Sequence, residues 1–317
     1  MLRVCLTIVL VFASSSLSLA QDKCFDPLSG GKAKSSTNPS DNDRKDWDQL
    51  VQWSHPHADQ EGVVRVQEIP DGMGPINLDF YSITFKKHPT KSLSDVFLDL
   101  RAHFSILAHR GAGPYEQEAA TYFLPYRGSG SVTDPLGARN KSLWESSQPT
   151  GAVMSFVLDN HTPALAFAAT LKGIKIVLEQ GDVVVTCATP LQFIFSTVYT
   201  RADGFHPVNG NRGFGVRDNA DGTWTFYTMG ADRETKVATA ELENGHKVDQ
   251  QYFGNIALQL GFPDRGIPPG ADAVFVAGDK FWREFFSNLE DYLDHAGLTV
   301  NPGSLIRNTN RYPYPSH

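Results

Sequence analysis

The chain has 317 residues, and 28 Lys and Arg against 35 Asp and Glu give it a formal net charge of -7. Hydrophobic residues make up 41% of it and 20 are Phe, ample for a packed core. The acidic balance and the lack of a basic stripe exclude the electrostatic footprint that nucleic acid or an anionic membrane surface requires.

The opening residues have the shape of an export leader. A basic start at 1–3 runs into VCLTIVLVFA and then SSSLSLA, with small residues before Gln21. The apolar run is too short to span a bilayer comfortably, and no later stretch has spanning length. The expectation is a soluble secreted or periplasmic protein, with residues 1–20 removed and no integral membrane segment in the mature chain. Gln-Asp-Lys precedes Cys24, without the Leu-rich approach of a lipoprotein site. Cys24 and Cys187 survive removal of the leader. They either pair in an oxidising compartment, or Cys187 in VVVTCAT is a small buried hydrophobe. Asn140-Lys-Ser and Asn160-His-Thr are sequons, relevant only in a host that glycosylates exports.

Residues 21–75 read as a flexible N-terminal segment. GGKAKSSTNPSDNDRKD has a linker composition, interrupted only by WDQLVQW. His55, His57 and Asp59 have an HxHxD spacing like that of metallo-hydrolases. In the metallo-β-lactamase pattern a hydrophobic strand precedes the motif and another His follows. Here DWDQLVQW precedes and Gln60 follows, so no metal is expected.

A single domain is expected over 76–300. In INLDFYSITFKK, Ile76, Leu78, Phe80 and Ser82 alternate as in a strand. Ser92 and Asp95 have capping-box spacing. Leu93, Val96, Phe97, Leu100, Phe104 and Leu107 then recur at helical period, up to a stop at His109-Arg-Gly-Ala-Gly-Pro. Residues 110–150 read as one short helix within long loops. Five strands follow at 152–158, 164–171, 174–179, 183–188 and 193–200, and a hairpin within 204–233 adds two more. After a Pro- and Gly-rich connector, Asp279 is placed as the cap of a long helix. Phe281, Trp282, Phe285, Leu289, Tyr292 and Leu293 form its apolar face, and Gly297 stops it. Residues 301–317 read as a tail.

This order of elements, over 76–297, resembles the helix-grip architecture of START-like proteins. The resemblance implies an α+β fold in which a curved antiparallel sheet of about seven to eight strands packs on a long C-terminal helix. HPVNGNRGFG followed by NADGTWTFYTMGADR also resembles a cassette that recurs in exported bacterial proteins, and it brings no activity with it.

The hairpin is the richest stretch for chemistry. With a turn at 218–222, Val216 faces Trp224 and Phe214 faces Phe226, which makes one side apolar. A one-residue slip would oppose Arg217 to Trp224 and mix the faces. In the preferred register Arg212 and Thr228 end the apolar face and point inward. A buried Arg needs a partner, and Asp232 and Asp203 are the nearest acidic residues along the chain. The pairing is either a structural lock on the hairpin or the polar end of a pocket that binds an anionic or carbonyl group.

His206, in a loop before Pro207, is either a general base or a residue bonded to backbone. His103 borders the apolar stripe of the first helix and reads as boundary packing. Glu116 and Glu118 lie in a Tyr-rich loop. Walker, GxSxG, HExxH, CxxC and EF-hand patterns are absent, and no cofactor is implied. The leading expectation is a protein that binds a small apolar or amphipathic ligand between sheet and helix, with Arg212, Tyr227, His206 and Trp224 as contacts. One alternative is a cofactor-free hydrolase or lyase with His206 as base, Arg212 stabilising charge and Asp232 beside them. The other is a secreted interaction module.

Overall fold

Large side chains repeating every second residue build an antiparallel sheet in the computed structural model of the chain. The model describes residues 24–25, 47–53, 55, 59–108, 123–128, 134–158, 179–235, 237–241, 247–251 and 273–314. The strands are β1 (Val63–Val66), β2 (Met73–Lys86), β3 (Phe123–Pro125), β4 (Val153–Leu158), β5 (Glu179–Thr189), β6 (Gln192–Thr200), β7 (Val208–Asp218), β8 (Thr223–Glu234), β9 (Val237–Glu241), β10 (Lys247–Gln251) and β11 (Ile306–Tyr312). The order across the main sheet is β11-β2-β8-β7-β6-β5-β4-β3, with β1 pairing β6, and every pairing is antiparallel. Strands β9 and β10 form a separate pair. The helices are α1 (Leu93–Ala102), the short α2 (Phe104–Leu107), α3 (Pro135–Glu145) and α4 (Ala273–His295).

The class is α+β, and the main sheet has nine strands among the described residues. The segments read as a flexible N-terminal stretch and as a tail supply the excess. Within the supposed flexible segment, β1 pairs with the end of β6 that β7 leaves, from Val63↔Thr200 to Val66↔Val198. Within the supposed tail, β11 pairs along β2 from Ile306↔Ser82 to Tyr312↔Ile76. IRNTNRY has almost no apolar alternation to announce a strand; the open backbone edge of β2 recruits it instead. The strand expected at 164–171 and most of the one at 174–179 lie outside the described residues, as do Asn160, His57, His109, Glu116 and Glu118.

Both faces of the sheet are buried. On one, Tyr81, Ile83, Phe85, Phe193, Phe195, Phe214, Val216, Trp224 and Phe226 form one core with α1, Phe104, Trp144 and the α4 residues Trp282, Phe285, Phe286, Leu289 and Leu293. On the other, Leu78, Phe80, Ile194, Tyr227 and Met229 are covered by Cys24, Phe25, Trp47 and Leu50. These four N-terminal residues are each no more than 4% exposed, so this part of the segment is packed rather than flexible. Cys24 and Cys187 are disulfide-bonded with their Cα atoms 5.8 Å apart.

Local signals place the helix ends. Ser92 accepts from Asp95 N and the Asp95 carboxylate accepts from Ser92 N, the reciprocal capping box. Helix α1 then breaks at His103 before α2 begins. Helix α4 starts at Ala273, so Asp279 is an interior residue and not its cap. The Asp279 carboxylate instead accepts from Tyr81 Oη at 2.8 Å and from both ends of the Arg307 fork, and it pairs with Arg283 at 3.0 Å. Gly297, at φ 75°, takes the left-handed turn that lets Leu298 N reach Leu293 O at 2.8 Å.

Candidate functional site

The hairpin turns within 219–222, but its register is two residues away from the expected one. Val216 pairs with Phe226 and Phe214 with Thr228. Side chains hold the longer loop: Asp221 accepts from Thr223 N and Oγ1, and Asn219 Nδ2 donates to Thr223 and Thr225 hydroxyls. A shift of two preserves the faces, so Arg212 still points toward α4.

Arg212 lies opposite Gly230 on β8, and Gly230 lies opposite Asp79 on β2. The three therefore form one row across three strands. With no side chain at Gly230, the guanidinium crosses over it, and Arg212 Nη2 donates to Asp79 Oδ2 at 2.6 Å. Asp232 Oδ2 is 3.8 Å from the same nitrogen. Asn77 Nδ2 lies 3.1 Å from Asp79 Oδ2 and 3.3 Å from Asp232 Oδ1, between the two carboxyls. The Trp282 ring of α4 roofs the cluster, with its centroid 4.2 Å from Arg212 Cζ.

Asp79 is 4% exposed and Asp232 8%. Burial disfavours the charged guanidinium, but Asp79 overrides this and holds Arg212 protonated. Burial and then the Asp79 charge push the Asp232 carboxyl up to about 7, against the pull of Arg212. Burial, then Asp79 and Asp279, push the Tyr81 phenol above its usual range, so it stays a donor to Asp279. Two buried atoms of the cluster have no hydrogen-bond partner among the described residues: Arg212 Nη1, a donor, and Asp79 Oδ1, an acceptor.

Of the sequence candidates, the structure brings Arg212 and Asp232 together and sets the others apart. His206 packs its ring on Gly181, and its Nδ1 lies 3.1 Å from Val208 N and 3.0 Å from Val208 O. Burial pushes its pKa down to about 4, so the ring is neutral at ordinary pH. Tyr227 is on the opposite face, where its hydroxyl accepts from Gln192 Nε2 at 2.8 Å. Trp224 is in the α4-side core at the turn end of β8, six residues from Gly230. Asp203, the other expected partner of Arg212, lies beside Ser155 instead. Asp79 was missed because it sits 133 residues from Arg212. Its one sequence signal is an acid in the middle of a strand.

Other expectations resolve nearby. His55 Nδ1 is 3.1 Å from Ser196 Oγ, while His57 of the HxHxD spacing lies outside the described residues. His103 caps the end of α1 at the core boundary, 2.9 Å from the Tyr292 hydroxyl. Asn140 is 4% exposed; it donates to Tyr126 O and accepts from Val153 N. Its amide is thus spent inside the fold. A ligand held between sheet and helix calls for a cavity against α4. A cavity of about 530 Å³ lies elsewhere, bordered by Val63, Tyr126, Leu136 and Arg201.

No helix among the described residues is long and apolar enough to cross a membrane. No protein-family model, curated protein or solved structure matches the chain.

Proposed function

We propose that this is an exported protein that binds a small amphipathic molecule at the polar end of the α4–sheet interface, in a helix-grip-like arrangement. One observation carries the reading: Arg212 Nη1 and Asp79 Oδ1 are both buried without a partner among the described residues, in one ion pair under Trp282. Native interiors seldom orphan such groups, and each orphan costs about 1–3 kcal/mol, more where charge is involved. A primary amide, a hydroxyl or a protonated carboxyl on the ligand would accept from the first and donate to the second. Its apolar part would lie against the Trp282 ring. The disulfide and the apolar leader support export. The hydrolase or lyase alternative needs His206 beside Arg212, and His206 commits Nδ1 to Val208 instead.

The test is solvent extraction and mass analysis of the protein purified from its host, beside Arg212→Met and Asp79→Asn. Wild type should release one compound or series that both variants lack while keeping their far-UV spectra. Nothing released by wild type, or the same compounds from all three, would end this reading.

A further inference from the structure

The cavity of about 530 Å³ lies where four chain segments meet: the turn before β1, the residues after β3, the start of α3 and the turn after β6. Its floor is apolar. Val63 and Leu136 pack there against a satellite core of Tyr126, Val153, Val184 and Val198. The Tyr126 ring lies directly on Gly62, where an added Cβ would collide with Cε1 and stand 2.9 Å from Oη, so backbone forms that wall.

Hydrogen bonds hold the walls in place. Tyr126 N donates to Val153 O at 3.0 Å, and Tyr126 O accepts from Asn140 Nδ2 at 3.0 Å. Arg201 N reaches Gly62 O at 3.4 Å and ties the turn after β6 to the turn before β1. The volume falls within the range of about 300–1,000 Å³ usual for small-molecule sites, which likewise set a few polar groups around an apolar floor.

Four charged side chains border the cavity, and they are not equivalent. Glu61 Oε2 and Arg139 Nη1 are 3.2 Å apart. Asp134 starts α3, where its Oδ1 accepts from Leu136 N at 2.8 Å beside the positive end of the helix. Each acid is thus offset by positive charge. Arg201 is exposed, and its guanidinium has neither an ion pair nor a hydrogen bond among the described residues. The rim therefore has one uncompensated charge, and it is a cation. The Glu61–Arg139 contact shows that a carboxylate is accommodated on this rim. A doubly charged phosphate fits worse, because it would face Glu61 and Asp134 with only one spare guanidinium to balance it.

We propose that this cavity is a second binding site, for a small carboxylate with an apolar body: the body lies on Val63, Tyr126 and Leu136, and Arg201 holds the carboxylate at the rim. Nothing in the Arg212 cluster enters, so the two sites stand or fall separately.

Ligand-observed NMR of the full chain at neutral pH tests it, with naphthoate as probe and naphthamide as its neutral isostere. Wild type should bind the acid saturably, with a dissociation constant of about 1 mM or below. The acid should bind about five- to tenfold better than the amide, and added salt should remove that preference. Arg201→Gln, at an exposed position, should bring the acid down to the level of the amide. Val63→Phe, which fills the floor, should weaken both. Equal binding of acid and amide by wild type, no saturable binding of the acid, or acid binding unchanged in either folded variant would overturn the site.

Discussion

Gly230→Ala is the sharpest probe of the Arg212 cluster, because it adds one methyl group at the point where the ion pair crosses β8. A Cβ there would lie 2.6 Å from Arg212 Cζ and 2.9 Å from Asp79 Oδ1, and closer still to Nη2. A guanidinium is the mobile end of a long side chain, so in open surroundings it would swing aside at little cost. Here Trp282 roofs it and Asp79 holds its far side, leaving no route that keeps the pair. The substitution therefore separates Arg212 from Asp79 and strands a carboxylate whose side chain is 5% exposed. Breaking a buried pair in this way costs about 3–5 kcal/mol. The lower conformational entropy of Ala in the unfolded chain returns about 0.5–1 kcal/mol. A net loss of about 2–4 kcal/mol follows, read as a lowered midpoint in urea unfolding at neutral pH with unchanged slope.

Gly278→Ala is the matched control. It lies within α4 with nothing within 4 Å of the added carbon, so it should gain about 0.5–1 kcal/mol. In an Arg212→Met background the cost of Gly230→Ala should shrink, since no charge remains to be displaced, and the cycle measures the coupling directly. Full additivity, or a Gly230→Ala protein as stable as wild type, would refute the crossing of Arg212 over Gly230.

Four further outcomes are expected. Phe285, 1% exposed and in ring contact with Phe104, Phe226 and Trp282, should cost about 3–5 kcal/mol on Phe285→Ala, while exposed Asp291→Ala stays within about 0.5 kcal/mol; thermal unfolding compares them. Cys24→Ser should lower stability by about 2–5 kcal/mol under non-reducing conditions, and adding a thiol reductant should bring wild type toward the variant. Peptide mapping of protein from a glycosylating host should find Asn140 bare, and Asn140→Ala should lose about 2 kcal/mol, since Tyr126 O and Val153 N each lose a buried partner. Asp232 holds its proton to about pH 7 when folded and to the ordinary carboxylate range when unfolded, so its contribution is complete at low pH and is lost as pH rises toward and through 7. Urea midpoints across that window should show a smaller fall for Asp232→Asn than for wild type, and parallel curves would contradict the assignment.

What was legible in the sequence follows from where each signal resides. Strands β5 to β8 announce themselves through a Val run in β5 and alternating large side chains in β6 to β8, and the turns after β6 and β7 carry Gly, Asn and Asp. Strand β2 is only half legible. Leu78 and Phe80 mark one face, but Asn77 and Asp79 on the other look solvated, whereas that face is buried as well. The cover over the first face was hidden too, because Trp47, Leu50 and Phe25 are isolated apolar residues in a polar segment and bury surface only once the disulfide and the sheet bring them together. Strand β11 has almost no apolar alternation, so its pairing is a property of the β2 edge rather than of its own sequence.

The site shows the same division more sharply. That Arg212 points inward is local information: any even shift of the hairpin leaves it on the core face, which is why the reading survived a register off by two. That its partner is Asp79 is not local. It depends on β2 lying next to β8 and on Gly230 standing between them in register. Each of the three residues carries a weak anomaly by itself: an inward Arg, an acid in a central strand, a glycine in a strand interior. Burial turns these anomalies into one requirement, because the Arg needs a countercharge, the acid needs a cation, and neither can reach the other past a side chain at position 230. The strand order β7-β8-β2 is the smallest piece of tertiary knowledge that makes the three readable together.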